Sequence, residues 1–190
     1  KKKFAIEFNG LYYHSNIDPS YHEQKRKNAN NVGISLFHIF EDEWRDNQDI
    51  IKSMICHRLM LSQHTVGARK CTIRLLTRHE KKQFFEKNHI DGNVRSSICW
   101  GLIYDNEIVA AASFRKSFHK KWQNHIELAR FATKLNTSVP GGYQKFLTHA
   151  KKYFSKPILT YVDNRFGGKQ ETFEKMGLKF CYETKQRLWW

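Results

Sequence analysis

The sequence predicts an α/β protein in two parts. Three observations carry this expectation. The first sixty residues alternate short apolar runs with polar or amphipathic stretches of helical length. Further along, "SICWGLIY" and "IVAAASFR" flank Asp105-Asn106-Glu107 and so read as a hairpin. Finally, 40% hydrophobic and 14% aromatic residues in a 190-residue chain are enough for packed cores.

Taken in order, "FAIEFN" (4–9) reads as a strand that ends at the turn signal Asn9-Gly10. Alternation puts Glu7 on the face opposite Ile6 and Phe8, near the end of that strand. A polar helix is predicted from about Tyr21 to Asn31, with Gly33 as its C-terminal stop. "GISLFHIF" (33–40) has the apolar density of a buried strand and runs directly into Glu41-Asp42-Glu43-Trp44. In "DNQDIIKSMICHRLM", Ile51, Ile55 and Leu59 recur at i, i+4 beside Ile50 and Met54, which predicts an amphipathic helix covering the sheet. Residues 62–71, "SQHTVGARKC", lack periodicity and read as a boundary. This division gives residues 1–61, a linker over 62–72, and a second part over 73–190.

In the second part, Thr77-Arg-His-Glu80 matches a capping box opening a helix to about Asn88, with Phe84 and Phe85 inward. The hairpin, with Trp100 in its core, is followed by the basic aromatic loop "RKSFHKKWQNH" and the strand "IELARFAT". "VPGGYQKFLTHAKKYF" places Pro140-Gly141-Gly142 before a helix, and "PILTYV" reads as a strand. "ETFEKMGLKF" is expected to form a short helix turning at Gly177 into a last strand. There is no internal repeat and no low-complexity segment.

The formal charge of +15 implies a polyanionic partner. No stretch approaches the roughly 20 apolar residues of a membrane span, and the short apolar run after Lys1–Lys3 contains Glu7, so neither an anionic membrane nor a signal peptide is expected. Cys56, Cys71, Cys99 and Cys181 form no C-x-x-C pair, which argues against a zinc ribbon or a disulfide framework and suggests reduced, cytosolic thiols. Residues 1–60 hold 9 Lys and Arg against 8 Asp and Glu, while residues 61–190 hold 24 against 10. An acidic centre able to hold metal followed by a phosphate-gripping module would divide the charge in this way.

Three features of the first part can converge: Glu7, His14, and Glu41 with its neighbours Asp42 and Glu43. Metal-dependent phosphodiester hydrolysis needs hard oxygen ligands for Mg²⁺ (or Mn²⁺) and a group that deprotonates water, and these residue types supply both. The competing reading makes Glu41–Glu43 helix-capping acids and His14 a surface histidine. His22 and Lys25, three apart on one helix face, are candidates for phosphate contact or metal-water support, or form a solvated face. Arg115, Lys116, Lys120 and Lys121 with Phe118, His119, Trp122 and His125 suit backbone neutralisation combined with base stacking, the alternative being a solvated loop. Lys145 behind Gly141-Gly142, and Arg165 and Lys169 in "YVDNRFGGK", complete the candidate phosphate contacts to double-stranded DNA.

"AIEFNGLYYHS", "YHEQK" and "GISLFHIFEDEW", in this order over residues 4 to about 60, resemble the nuclease domain of phage homing endonucleases of the EDxHD type, relatives of the very-short-patch-repair endonuclease within the PD-(D/E)XK class. The resemblance implies a partial restriction-endonuclease-like sheet, with His14 as general base or acid, Glu7 as metal-binding carboxylate and Glu41 as a further acidic partner. Such proteins normally carry a preceding strand with a metal-binding Asp, in a pattern like E-x-D-I-Y-I-P, so the metal site as written is expected to be one carboxylate short. "FFEKNHIDG", "WGLIYDNEIVAAASF", "ELARFATKLNTSVPGGYQKFLTHA" and "FEKMGLKF", over residues 73–183, resemble the C-terminal domain of many of these endonucleases, whose element order looks like an acetyltransferase (GNAT) fold related to the phage DNA-modification protein Mom. "VPGGYQK" stands where the acetyl-CoA loop would be, without the full Arg/Gln-x-x-Gly-x-Gly/Ala pattern. The leading expectation is a Mg²⁺- or Mn²⁺-dependent DNA endonuclease. An acyl-CoA-dependent transferase or DNA-modification protein and a catalytically inactive DNA-binding protein are the alternatives.

Overall fold

Strand β1 (Phe4–Asn9) runs parallel to β2 (Ser35–Phe40), and helix α1 (Ser20–Asn31) lies between them in the chain, in a computed structural model that describes residues 3–10, 20–166 and 170–184. Parallel pairing needs such a crossover, because a tight turn can only reverse the chain. Gly33 (φ 75°) closes α1: its N–H donates to Asn30 O (2.9 Å) and Ile34 N–H to Ala29 O (2.9 Å), the paired bonds of a Schellman stop. The helix α2 (Glu41–Leu59) follows β2 directly and is broken at Asn47 (φ −133°, ψ 34°).

That break coincides with a division of the chain into two compact units, one formed by Lys1–Asp46 with Val162–Trp190 and the other by Asn47–Tyr161. In the first unit, Phe37 and Ile39 are buried, and the Phe37 ring packs against Phe4 (centroids 5.9 Å) and Phe166 (4.9 Å). The short helix Gln170–Lys175 ends at Gly177 (φ 78°), as expected. The strand expected beyond it is not formed: residues 178–184 are irregular, and Phe180 and Tyr182 are exposed. Alternation in "LKFCYE" imitates a strand, but a strand requires a ladder partner, and none pairs with it among the described residues.

The second unit contains a five-stranded sheet in the order β4-β5-β6-β7-β9 and a two-stranded parallel pair, β3 with β8. The strands are β3 (His64–Thr65), β4 (Thr72–Leu75), β5 (Ile98–Tyr104), β6 (Glu107–Lys116), β7 (Ile126–Thr133), β8 (Thr137–Ser138) and β9 (Ile158–Thr160). All neighbours in the large sheet are antiparallel except β7 and β9, which are parallel. Residues 62–72, read as a linker from their lack of periodicity, carry β3, a 3-10 turn at Ala68–Lys70 and the start of β4, with Ala68 and Cys71 buried. Their elements are too short to display a period. The β5–β6 hairpin turns through Asp105 (φ 52°) and Asn106 (φ 60°), the pair of left-handed residues that matches strand twist.

Both faces of this sheet are covered. Helix α3 (Arg78–Asn88) buries Phe84 and Phe85 in a cluster with Leu76, Cys99, Ala111 and Ala132. On the other face, helix α4 (Gly142–Tyr153) buries Phe146, Leu147 and Ala150, while Trp100 packs against His149 (4.6 Å), Tyr153 (5.2 Å) and Phe114 (5.2 Å). The run Ala110-Ala111-Ala112 occupies the central strand β6 and is wholly buried; side chains this small let helices approach from both sides. No helix among the described residues is long and apolar enough to cross a membrane.

Thr77 caps α3 as expected: its Oγ1 accepts from Glu80 N (3.2 Å), and Glu80 Oε2 accepts from Thr77 N (2.8 Å). Arg74 bridges to the same carboxylate (2.7 Å), and together these bonds hold Glu80 down at about 2. Thr77→Ala is expected to lower stability by about 1 kcal/mol in urea unfolding, and Phe85→Ala by about 3–5 kcal/mol through the cavity it leaves. Because the folded pKa of Glu80 lies below its ordinary 4.5, its contribution is fully present above pH 4.5 and disappears as pH falls through about 2. Unfolding curves for wild type and Glu80→Gln, measured across that window, should differ at pH 6 and converge at its acid end.

Candidate metal centre

The register of β1 on β2 sets Glu7 opposite His38, and neighbouring partners in a parallel pair point to one face. Period two adds Asn9 to that face and sends Ile6 and Phe8 to the other, where they are 49% and 54% exposed. Helix α1 brings His22 and Lys25 to the Glu7 face. Tyr21 and Ala29 are its only aromatic or apolar residues besides His22, so its contact with the strands is polar. A helix on a parallel strand pair ordinarily buries apolar side chains; here Glu7, Asn9, His22 and His38 stand in their place, with Lys25 exposed beside them.

One ligand atom from each of Glu7, His22 and His38 lies within 4.8 Å of the others. Lys25 Nζ donates to Glu7 Oε1 at 2.6 Å, and this bond raises the lysine pKa. The second carboxylate oxygen, Oε2, stands 3.4 Å from His38 Nδ1, which is also 3.4 Å from Asn9 Nδ2. The His22 and His38 rings meet edge to face at 5.4 Å. His38 is 1% exposed, and its burial lowers its pKa to about 4 despite the pull of Glu7, so the ring is neutral at pH 7. Glu7 Oε2, Asn9 Oδ1 and His38 Nε2 are buried with no hydrogen-bond partner. Each such atom costs about 1–3 kcal/mol, so this cluster is not explained by its contribution to stability.

The donor set discriminates between ions. Mg²⁺ takes oxygens in a near-octahedral shell, whereas one carboxylate with two imidazoles suits a softer dication.

The other predicted site residues are placed as follows. His14 and Lys169 lie outside the described residues. Glu41 is exposed in the first turn of α2; a Cβ built on Gly10 would stand 3.7 Å from its Oε2, so it sits at the end of the strand pair but is not among the three clustered ligands. Its neighbours act as caps: Glu43 Oε2 accepts from Phe40 N (3.2 Å) and Asp42 Oδ1 from Glu43 N (2.9 Å). Arg165, expected on DNA, belongs to the first unit and is held by Asp163 (2.8 Å) and Glu43 (2.9 Å), its guanidinium stacked on Phe166 (4.5 Å) and Phe40 (5.3 Å). Lys145 Nζ donates to Ala68 O (2.8 Å) and Cys71 O, tying α4 to the 3-10 turn. Arg115 faces Glu127 across β6 and β7 and bonds it at 2.6 Å, with Phe118 beneath its guanidinium. Of the basic loop, Lys116, Lys120 and Lys121 are exposed, as is Phe118 at 72%, and Trp122 is half-buried under Lys121 (5.2 Å).

Reading the sequence alone missed His38 and Asn9. Each sits in a strand with apolar neighbours, and only the inter-strand register reveals that His38 faces Glu7. Comparison with protein-family models, curated proteins and solved structures finds no match to this chain.

Removing the Arg165 guanidinium leaves Glu43 without its cation on a partly buried surface. Arg165→Ala is expected to destabilise the protein by about 1–3 kcal/mol in urea unfolding, while Arg45→Ala, whose pair with Asp46 is exposed, should change it by less than about 1 kcal/mol.

Proposed function

We propose that this chain binds double-stranded DNA and hydrolyses its phosphodiester bonds as a divalent-metal-dependent endonuclease. The observation that carries the reading is the polar interior between α1 and the first strand pair, where a carboxylate and two imidazoles converge in place of an apolar core. Local rules of folding are broken most often at sites that serve function. A dication there would polarise a phosphoryl oxygen and lower the pKa of water.

In this reading Glu7 is the carboxylate ligand and His14 the group that assists water attack, the role its place in "FNGLYYHS" implies. Glu41, at the strand ends, supplies further negative charge. Charge supports a nucleic-acid substrate: Asn47–Tyr161 hold 20 Lys and Arg against 7 Asp and Glu, a net +13. Lys116, Lys120 and Lys121 beside Phe118 combine phosphate neutralisation with a stacking surface.

The strand order of the second unit, antiparallel with one parallel crossover through α4, is consistent with the resemblance to acetyltransferases. The transferase reading draws less from the glycines before α4. Gly141 (φ 78°) is required by its left-handed backbone, and a Cβ on Gly142 would meet Val139 Cγ1 at 3.1 Å and Leu102 Cδ1 at 3.5 Å. Conformation and packing account for both residues, and the Gly142 N–H is already donated to Val139 O (2.9 Å).

Nicking or linearisation of supercoiled plasmid at low salt, in Mg²⁺ and separately in Mn²⁺, tests the assignment. Glu7→Ala and His14→Ala should each reduce cleavage by about 100-fold or more; binding without cleavage in all three proteins would leave a DNA-binding protein and end the hydrolase reading. Replacing Lys116, Lys120 and Lys121 by Ala should make the slope of log K against log salt shallower by about 0.9 for each phosphate that is no longer neutralised.

A further inference from the structure

We infer that Glu7, His22 and His38 form a three-ligand site for a first-row transition-metal dication of the zinc class, with a fourth position open. The inference deepens the nuclease reading by naming the ion at the same carboxylate, and it rests on that reading only for what the ion would do to DNA.

Donor chemistry comes first. Two imidazoles and a carboxylate are the ligand types of zinc sites that keep an open position, and nitrogen donors favour Zn²⁺ or Co²⁺ over Mg²⁺. Geometry agrees. Ligand atoms bound at about 2.0–2.2 Å around a four-coordinate ion stand about 3.4 Å apart. Glu7 Oε2 and His38 Nδ1 are already at 3.4 Å, and the full set lies within 4.8 Å, so closing on an ion requires side-chain rotation of about 1 Å.

The supports around the site are also present. Lys25 occupies Glu7 Oε1 and leaves Oε2 aimed at His38, which makes Lys25 a positioning residue for a monodentate carboxylate. Glu7 Oε2, the oxygen that faces His38 Nδ1 at 3.4 Å, is buried without a hydrogen-bond partner. Coordination of an ion through Oε2 and Nδ1 would give that oxygen its partner. His22 is half-buried on the helix, less enclosed than His38.

The test uses the full chain carrying Cys181→Ser, because that exposed thiol is a competing soft ligand. After removal of metal with chelator, Zn²⁺, Co²⁺ and Mg²⁺ are titrated calorimetrically, and the visible ligand-field bands of Co²⁺ are recorded. One Zn²⁺ or Co²⁺ should bind per chain, at least about 100-fold tighter than Mg²⁺. His22→Gln and Glu7→Gln should each weaken Co²⁺ binding by about 100-fold and erase its four-coordinate spectrum. His38→Gln should do the same; if it fails to fold, as judged by urea unfolding, the other two variants decide. Absence of stoichiometric binding, or binding that both His22→Gln and Glu7→Gln leave unchanged, overturns the inference. Plasmid cleavage measured on the same proteins separates the two readings: a bound ion without cleavage keeps the site and removes the nuclease, and cleavage by a chain that binds no Zn²⁺ or Co²⁺ does the reverse.

Discussion

The alignment of β1 on β2 that sets Glu7 opposite His38 is the constraint on which the site depends. Strand side chains alternate, so this single register decides the chemistry of both faces. A slip of one residue would turn Ile6 and Phe8 toward α1 and carry Glu7 and Asn9 outward. The aromatic packing of Phe4 and Phe166 on Phe37, on the face away from the cluster, opposes that slip. The hydrophobic packing of the first unit thus holds polar groups in place on its other side.

The two units divide structural and chemical work differently. The second follows the ordinary logic of an α/β sheet, with a central alanine run, a helix on each face and a capped helix start. Its unusual feature is charge, and much of that charge has structural uses. Arg115 is neutralised by Glu127 across the sheet, and Lys145 is bonded to two carbonyls; neither presents an unshielded cation to solvent. The exposed lysines of the loop before β7 differ in kind, since they stand on a turn beside an exposed phenylalanine. The first unit carries little net charge, and its buried atoms Glu7 Oε2, Asn9 Oδ1 and His38 Nε2, without hydrogen-bond partners, belong to side chains gathered on one face of the strand pair, a cost that natural folds accept where a site needs it.

Arg165 shows that residue type alone does not fix a role. As a basic residue followed by glycines it resembled a phosphate ligand, yet its planar fork meets two carboxylates and its faces meet two phenyl rings. The same geometry suits guanidinium to phosphate and to carboxylate, so residue type alone does not distinguish the roles. The acids after β2 pose a similar ambiguity: Asp42 and Glu43 bond the backbone that opens α2, and Glu41 stands at the strand ends.

By itself the sequence determined the local elements. Periodicity, Gly33, the Thr77–Glu80 box and the Asp105-Asn106 turn act over a few residues, and the corresponding strands, helices and stops stand where those signals put them. The sequence also determined the charge division and the presence of Glu7 at a strand end. Tertiary structure decided what those signals could not encode: that "LKFCYE" finds no strand to pair with, that residues 62–72 are ordered into short elements, and that His38 and Asn9 share a face with Glu7. Each of these depends on which strand lies beside which and in what register. That pairing is set between residues about thirty apart or more, and the partner of a side chain across such a distance leaves no mark in its own neighbourhood of the chain.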